Sequence, residues 1–182
     1  MTASALLIRP STPADLPAIT AIYAEAVLHG TGTFELEPPD QAEMARRRDD
    51  VLSKGLPWLV AQQRADTSGQ LLGYAYANHF RPRKAYRFCL EDSIYLHPGA
   101  RGRGVGKLLL TELVARCEAA GARQMLAVIG DAANAGSIGV HAALGFAHTG
   151  VLKASGWKFD RWLDVVLMQR ALGQGETTPG SD

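Results

Sequence analysis

The chain has 182 residues, 47% of them hydrophobic, and a formal net charge of +1 at pH 7. One domain is expected at this length, with a core large enough to fold without staples. The near-neutral charge argues against general nucleic-acid binding, no apolar run is long enough to cross a bilayer, and the start, MTASALLIRP, lacks the apolar core of a signal peptide, so a cytoplasmic protein is expected.

Residues 5 to 9, ALLIR, form a short strand candidate. Thr12-Pro13-Ala14-Asp15 then reads as a helix start, with a threonine cap, proline at the first helical position and an acid three residues after the cap. Leu16, Ile19, Tyr23, Ala26 and Val27 supply an apolar face at helical spacing, and Gly30 is the expected stop. The segment 31–39, TGTFELEPP, is a loop in which Phe34 is the single large aromatic. Asp40 with Glu43 caps a second helix, whose apolar positions are Met44, Val51 and Leu52 and whose Arg46, Arg47 and Arg48 are expected on its wet face.

Residues 58–62 and 71–79 read as paired strands joined by the polar turn ADTSGQ. A charged loop through Arg81, Pro82, Arg83, Lys84 and Tyr86 follows, and residues 87–96 resume as a strand. Alternation places Phe88, Leu90, Asp92, Ile94 and Leu96 on one face, and Cys89, Glu91, Ser93 and Tyr95 on the other. Two adjacent acids are unusual in so apolar a strand. A helix is expected from Lys107 to Ala120, stopped by Gly121, then a buried strand at 124–129 and a short helix at 134–143 leading into Leu144-Gly145-Phe146. Residues 147–153 and 162–170 read as a closing hairpin, and 173–182, rich in Gly, Ser, Thr and Pro, as a disordered tail after a domain spanning 1–172. Cys89 and Cys117 lie far apart without metal-ligand spacing, so both are expected as buried thiols, with no disulfide and no metal site. The order of elements gives an α/β (α+β) domain with a mixed, mostly antiparallel sheet of about seven strands and about four helices.

The stretch 96–110, LHPGARGRGVGKLLL, has the chemistry of an anion site. Gly102, Gly104 and Gly106 let successive N–H groups point into one concavity, and the helix that follows adds the partial positive charge of its N-terminus. A Walker loop would need glycine at 101 and Ser or Thr at 108, where Arg101 and Leu108 stand. The Rossmann fingerprint Gly-x-Gly-x-x-Gly is not met either, because the loop reads Gly102-x-Gly104-x-Gly106.

The pattern Arg101-x-x-Gly104-x-Gly106 resembles the acyl-CoA pyrophosphate loop of the GCN5-related N-acetyltransferases (GNAT), whose element order the chain matches apart from its tail. RPRKAYRFCLEDSIYL, RGRGVGKLLL, AVIGDAANAGSIGVHAALGF and GWKFDRWLDVVLMQR together are similar to the phosphinothricin and methionine sulfone or sulfoximine acetyltransferase branch. The resemblance implies the GNAT fold, acetyl-CoA as cosubstrate, no metal, a small amino-acid analogue as acceptor, and a homodimer in which the segment from Trp157 to Trp162 helps close the partner's site. It implies a pyrophosphate site of Arg101, Gly102, Arg103, Gly104, Val105, Gly106 and Lys107, backbone pairing of Ile94, Tyr95 and Leu96 with the pantetheine arm, and a cofactor contact from Asn134. It also bears on His141, which stands where many relatives carry a tyrosine that protonates the departing thiolate. A catalytic role and a buried, hydrogen-bonded histidine are both open for it.

Transfer to an amine requires a base, because an ammonium does not attack. Glu91 occupies the position of the acid in the family's Glu-Ser motif and is the expected base, direct or through water; the alternative is a strand-face carboxylate paired with Arg87 or Arg81. Arg81 and Arg83 suit a substrate carboxylate, since the guanidinium fork matches its geometry, and a competing assignment gives them the 3'-phosphate of CoA. Phe34 and Tyr86 could wall the side-chain pocket. Acetylation of a protein N-terminus or an antibiotic amine, acyl-CoA sensing without catalysis, and RNA binding through the Arg-Gly loop are the rival functions.

Overall fold

The computed structural model describes residues 6–64 and 70–180. Its elements run β1 (Leu6–Pro10), α1 (Leu16–His29), α2 (Gln41–Ser53), β2 (Trp58–Gln63), β3 (Leu71–His79), β4 (Cys89–Leu96), α3 (Val105–Ala119), β5 (Gln124–Gly130), α4 (Ala135–Ala142), β6 (Ala147–Lys158) and β7 (Arg161–Ala171). They build a 7-stranded sheet in the order β1-β2-β3-β4-β5-β7-β6. Among the described residues only β4 and β5 run parallel, because α3 carries the chain back across the sheet between them. The mixed, mostly antiparallel sheet expected from the sequence is therefore the fold observed. The ADTSGQ turn lies largely outside the described residues.

Local chemistry explains the helix ends. Thr12 and Asp15 form a reciprocal capping box at a short 3-10 turn that leads into α1. The Asp40 side chain accepts the Glu43 N–H at 2.8 Å and starts α2. Gly121, with φ of 88°, follows the end of α3 in the left-handed region that glycine tolerates.

Three details differ from the sequence expectation. Arg48 is not on the wet face of α2: it is buried and donates to Ser11 Oγ at 2.8 Å and to Ser11 O at 2.7 Å, fastening α2 to the chain after β1. A helix face next to a polar backbone turn can bury a guanidinium when its donors are taken up this way. Cys89 is only half-buried, whereas Cys117 is fully enclosed. Burial pushes both thiols above their usual range, Cys117 to about 12, so neither is a ready nucleophile. Residues 173–180 fold back on the domain, where Arg123 donates to Thr178 Oγ1 at 2.9 Å and Gly180 lies against the Phe88 ring.

The sheet carries α1 and α2 on one face and α3 and α4 on the other, as the alternation of β4 shows. Tyr95 points toward α1, where its ring meets Tyr23 edge-on at 4.9 Å. Ile94 and Leu96 point the opposite way, against Gly106 in the first turn of α3. On the α1 face, Trp58 stacks on Tyr76 at 4.1 Å and Tyr74 stacks on Tyr95 at 5.3 Å, an aromatic floor running across β2, β3 and β4. On the other face Leu109, Leu110, Leu113 and Cys117 of α3 are all 0% exposed. Leu113→Ala should lower the unfolding free energy by about 2–5 kcal/mol in urea titration, because it leaves a cavity between α3 and the sheet.

Candidate active site

The parallel pairing of β4 with β5 runs from Cys89↔Gln124 to Asp92↔Ala127 and stops there. Beyond it, β4 continues beside β3 as far as Gly73↔Leu96, and β5 beside β7 as far as Gly130↔Val165. The facing edges of Ser93–Leu96 and Val128–Gly130 thus diverge into a wedge in the middle of the sheet. A cleft of about 850 Å³ occupies it, walled by these strands, the loop after α1, the start of α3 and the exposed side of α4. Free strand edges in such a wedge offer unused N–H and C=O groups to an extended ligand.

One end of the cleft is the anion loop. Gly102 and Gly104 have φ of 69° and 80°, so the backbone curls through left-handed turns that a side chain would strain. The first helical bond of α3 is Leu108 N–H to Gly104 O at 3.2 Å, so the N–H groups of Val105, Gly106 and Lys107 precede it and are available to an anion. Arg101, Gly102, Gly104, Val105, Gly106 and Lys107 all line the cleft. Arg103 turns aside, donating to Gly99 O at 2.9 Å. Asn134 caps α4, its Oδ1 accepting the Ser137 N–H at 3.2 Å, while its Nδ2 faces Gly32 across the cleft.

At the throat of the wedge stand Glu91 and Asp92, on opposite faces of β4. Glu91 is half-buried on the α1 face opposite Asn78 of β3. Burial pushes its carboxyl above the usual glutamate range, the neighbouring Asp92 charge adds to this, and Arg81 opposes it. Asp92 faces α4, where its Oδ2 lies 3.0 Å from His141 Nε2. His141 Nδ1 lies 2.7 Å from Ser137 O. Both ring nitrogens are thus engaged, and the ring packs edge-on against Phe146. Burial pulls the imidazole pKa down, but the hydrogen bond and charge of Asp92 outweigh it and the net shift is upward.

The loop after α1 closes the third side. Phe34 seats its ring in a notch between Gly130 and Gly156, and a Cβ at either glycine would press on it. Lys158, 3% exposed, donates to Thr33 O at 2.9 Å. Glu35 accepts from Tyr23 Oη at 2.9 Å and from Arg47 at 2.7 Å, fixing the loop to α1 and α2. Arg81, Arg83 and Tyr86 are exposed and lie outside the cleft wall, in the connection between β3 and β4; Arg81 covers the Phe80 ring at 4.8 Å. Phe34, Glu91, Ile94, Tyr95, Leu96, Asn134 and His141, by contrast, meet in one cleft with the anion loop.

Sequence reasoning missed Asp92 as the partner of His141, although the adjacent acids were the available signal. It also missed Asp131, whose φ of 68° ends β5 and whose carboxylate takes the Ala133 N–H at 3.0 Å and Arg161 at 2.8 Å. No local sequence pattern distinguishes that aspartate from an ordinary loop residue.

An extended wedge with a phosphate cradle at one end and a carboxylate of raised proton affinity at the other is the site of a group-transfer enzyme. Residues 20–146 match the Acetyltransferase (GNAT) family, and the chain belongs to it. It is 58% identical over 164 residues to phosphinothricin N-acetyltransferase of Alcaligenes faecalis, a match covering 90% of this chain and 81% of that protein. It is 40% identical over 172 residues to L-methionine sulfoximine/L-methionine sulfone acetyltransferase of Pseudomonas aeruginosa, over 94% and 98% of the two chains. The crystal structure of a phosphinothricin acetyltransferase from Sinorhizobium meliloti in complex with acetyl-CoA superposes with a TM-score of 0.92 at 51% identity, covering 98% of this chain and 94% of that one.

The glycine notch gives a direct test of the acceptor wall. Gly156→Ala should displace Phe34 and lower kcat/KM for the amine about tenfold or more, while binding of acetyl-CoA measured by calorimetry stays within about twofold of the parent.

Proposed function

We propose that the protein transfers an acetyl group from acetyl-CoA to the α-amino group of a small amino-acid analogue of the phosphinothricin, methionine sulfone or methionine sulfoximine type. The observation that carries this reading is the position of Glu91: a half-buried carboxylate at the last rungs before the strands part, with the anion loop at the far end of the same cleft. Relatives at 58% and 40% identity that act on phosphinothricin and on methionine sulfoximine or sulfone support the acceptor class.

The cleft fits acetyl-CoA on the chain's own terms. Gly102 and Gly104 open a cradle that no side chain fills, the N–H groups at the start of α3 suit its pyrophosphate, and the free edge of Ile94, Tyr95 and Leu96 suits its amide-bearing arm. When bound, acetyl-CoA supplies an activated acetyl thioester. Arg101 and Lys107 set positive charge beside the cradle, with Arg103 next to them in the loop. Glu91 takes the proton of the amine, and its raised proton affinity matches it to an ammonium better than an exposed glutamate would be. Phe34 walls the acceptor's side chain. Arg81, whose charge reaches Glu91 from the β3–β4 connection, is assigned to the acceptor's carboxylate, while Arg83 and Tyr86 lie exposed outside the cleft wall. Neither cysteine is needed, so attack on the thioester is direct. His141, with both nitrogens engaged, acts through Asp92 rather than as a free acid.

We also propose a homodimer built on the tip of the β6–β7 hairpin. Trp157, Phe159 and Trp162 are 52%, 49% and 64% exposed there, with the two indoles 5.1 Å apart. Exposed aromatics grouped in this way suit an isologous contact with a second copy.

Glu91→Gln should lower kcat about 10²–10⁴-fold with acetyl-CoA affinity retained, read by thiol release at saturating cosubstrate; full turnover would remove Glu91 as the base. For the parent enzyme, kcat/KM should rise with pH as Glu91 loses its proton, on a limb lying above the ordinary glutamate range. Thiol release screened with phosphinothricin, methionine sulfone and methionine sulfoximine tests the acceptor class, and silence with all of them would refute it. Trp157→Ser with Trp162→Ser should halve the mass seen by light scattering after gel filtration if the hairpin tip is the contact.

A further inference from the structure

The tip of the β6–β7 hairpin reaches back to the cleft from both of its strands. Lys158 and Arg161 are paired in the ladder and flank the two tip residues, Phe159 and Asp160. Arg161 donates to Asp131 Oδ2 at 2.8 Å, and Lys158 donates to Thr33 O at 2.9 Å. Asp131 and Thr33 both line the cleft, one at the end of β5 and the other in the loop after α1. The two contacts differ in kind. The Arg161 side chain is 54% exposed, so its ion pair is open to water and salt, whereas Lys158 is buried behind the cleft wall.

A buried ammonium is costly, and an apolar side chain would fill the same space without stripping water from a charge. What lysine adds is a donor with a direction. The Phe159 ring, 5.1 Å from Nζ, favours the charge but does not aim it, so the bond to Thr33 O sets where the side chain points. That oxygen belongs to the peptide group joining Thr33 to Phe34. A peptide group is planar, so a bond that fixes its oxygen fixes the plane from which the Phe34 side chain projects. The same strand holds the other end of that side chain. Gly156 and Lys158, two residues apart, are buried on one face of β6 while Trp157 between them is exposed on the other, and a Cβ at Gly156 would press on the Phe34 ring. β6 thus grips Phe34 twice, at its peptide through Lys158 and at its ring through Gly156. Toward the helices, Thr33 Oγ1 lies 3.0 Å from Tyr23 Oη, and Glu35 accepts from Tyr23 and Arg47. Those bonds tether the neighbours of Phe34 by their side chains, whereas Lys158 holds the peptide of Phe34 itself.

We propose that Lys158 is a positioning residue for the acceptor: by holding the Thr33–Phe34 peptide against β6 it sets the place of the Phe34 ring, and with it how well the acceptor's side chain is held for reaction. The inference rests on Phe34 being the acceptor's wall. Lys158 touches neither substrate, so its effect on turnover passes through Phe34 and stays on the acceptor's side of the cleft.

The test is a double-mutant cycle between Lys158 and Phe34 on the full chain, with thiol release measured at saturating acetyl-CoA for methionine sulfone, methionine sulfoximine and phosphinothricin. Lys158→Met removes the ammonium and keeps a long, unbranched side chain. It should lower kcat/KM for the acceptor about tenfold in the parent, but by less than about twofold in Phe34→Ala, where the wall it positions is gone. Acetyl-CoA binding measured by calorimetry should stay within about twofold of the parent in every variant of the cycle. If Lys158→Met does not fold, Lys158→Gln, shorter and uncharged but still polar, takes its place.

An equal loss in the parent and in Phe34→Ala overturns the proposal and leaves Lys158 a role in the fold alone. Unchanged kcat/KM in the parent background overturns it as well. A fall in acetyl-CoA affinity as large as the fall in kcat/KM also overturns it, and places the effect on the donor's side. Turnover of none of the three amines by the parent overturns the acceptor class and this inference together, so the two failures are told apart.

Discussion

The structure depends on a failure of pairing. Four residues of β4 are held to β5 and the next four are not, while β3 and β7 stay paired to the outer edges of the two strands through the gap. A sheet interior normally satisfies its backbone groups completely, so a gap there must be kept open by the elements around it. Here α3 seats Gly106 against Ile94 and Leu96, and the loop after α1 sits over Gly130. Both glycines stand where a Cβ would press on the neighbouring element, which is why the wedge can be narrow and deep at once.

Placing the gap inside a strand pair also divides the chemistry between two faces. The anion loop and α4 lie with Asp92 on one face, and Glu91, the aromatic floor and the loop holding Phe34 lie on the other. A donor entering along the strand edge and an acceptor entering from the α1 face therefore meet at the throat without competing for space. The two adjacent acids, odd in so apolar a strand, place one carboxylate on each face at that point.

Much of this was legible in the sequence. Periodicity and capping residues located the helices, and the glycine spacing marked the anion loop and rejected two other phosphate motifs. The alternation of β4 assigned Asp92 and Glu91 to the correct faces. What the sequence could not show was depth and distance. Arg48 and Lys158 look like surface cations, yet each is buried because a backbone carbonyl from a remote segment receives it. His141 meets Asp92 across 49 positions, a pairing that no local pattern encodes. Arg81 and Arg83 stand close to Glu91 in sequence, but the turn after β3 leaves them on the outside. The hairpin also extends further than the apolar runs suggested, because Phe159 and Asp160, both with positive φ, form a tight tip instead of a loop.

The sorting of the three tryptophans has a spectroscopic consequence. Trp58 is 1% exposed and stacked between tyrosines in the aromatic floor, while Trp157 and Trp162 share the solvent-facing hairpin tip. The protein's intrinsic fluorescence is therefore the sum of a core emitter and a surface pair. An aqueous quencher reaches the surface pair only where no second copy covers the hairpin tip and never reaches Trp58, so the quenched and unquenched fractions of one emission spectrum report separately on the hairpin contact and on what lies beneath the acceptor face.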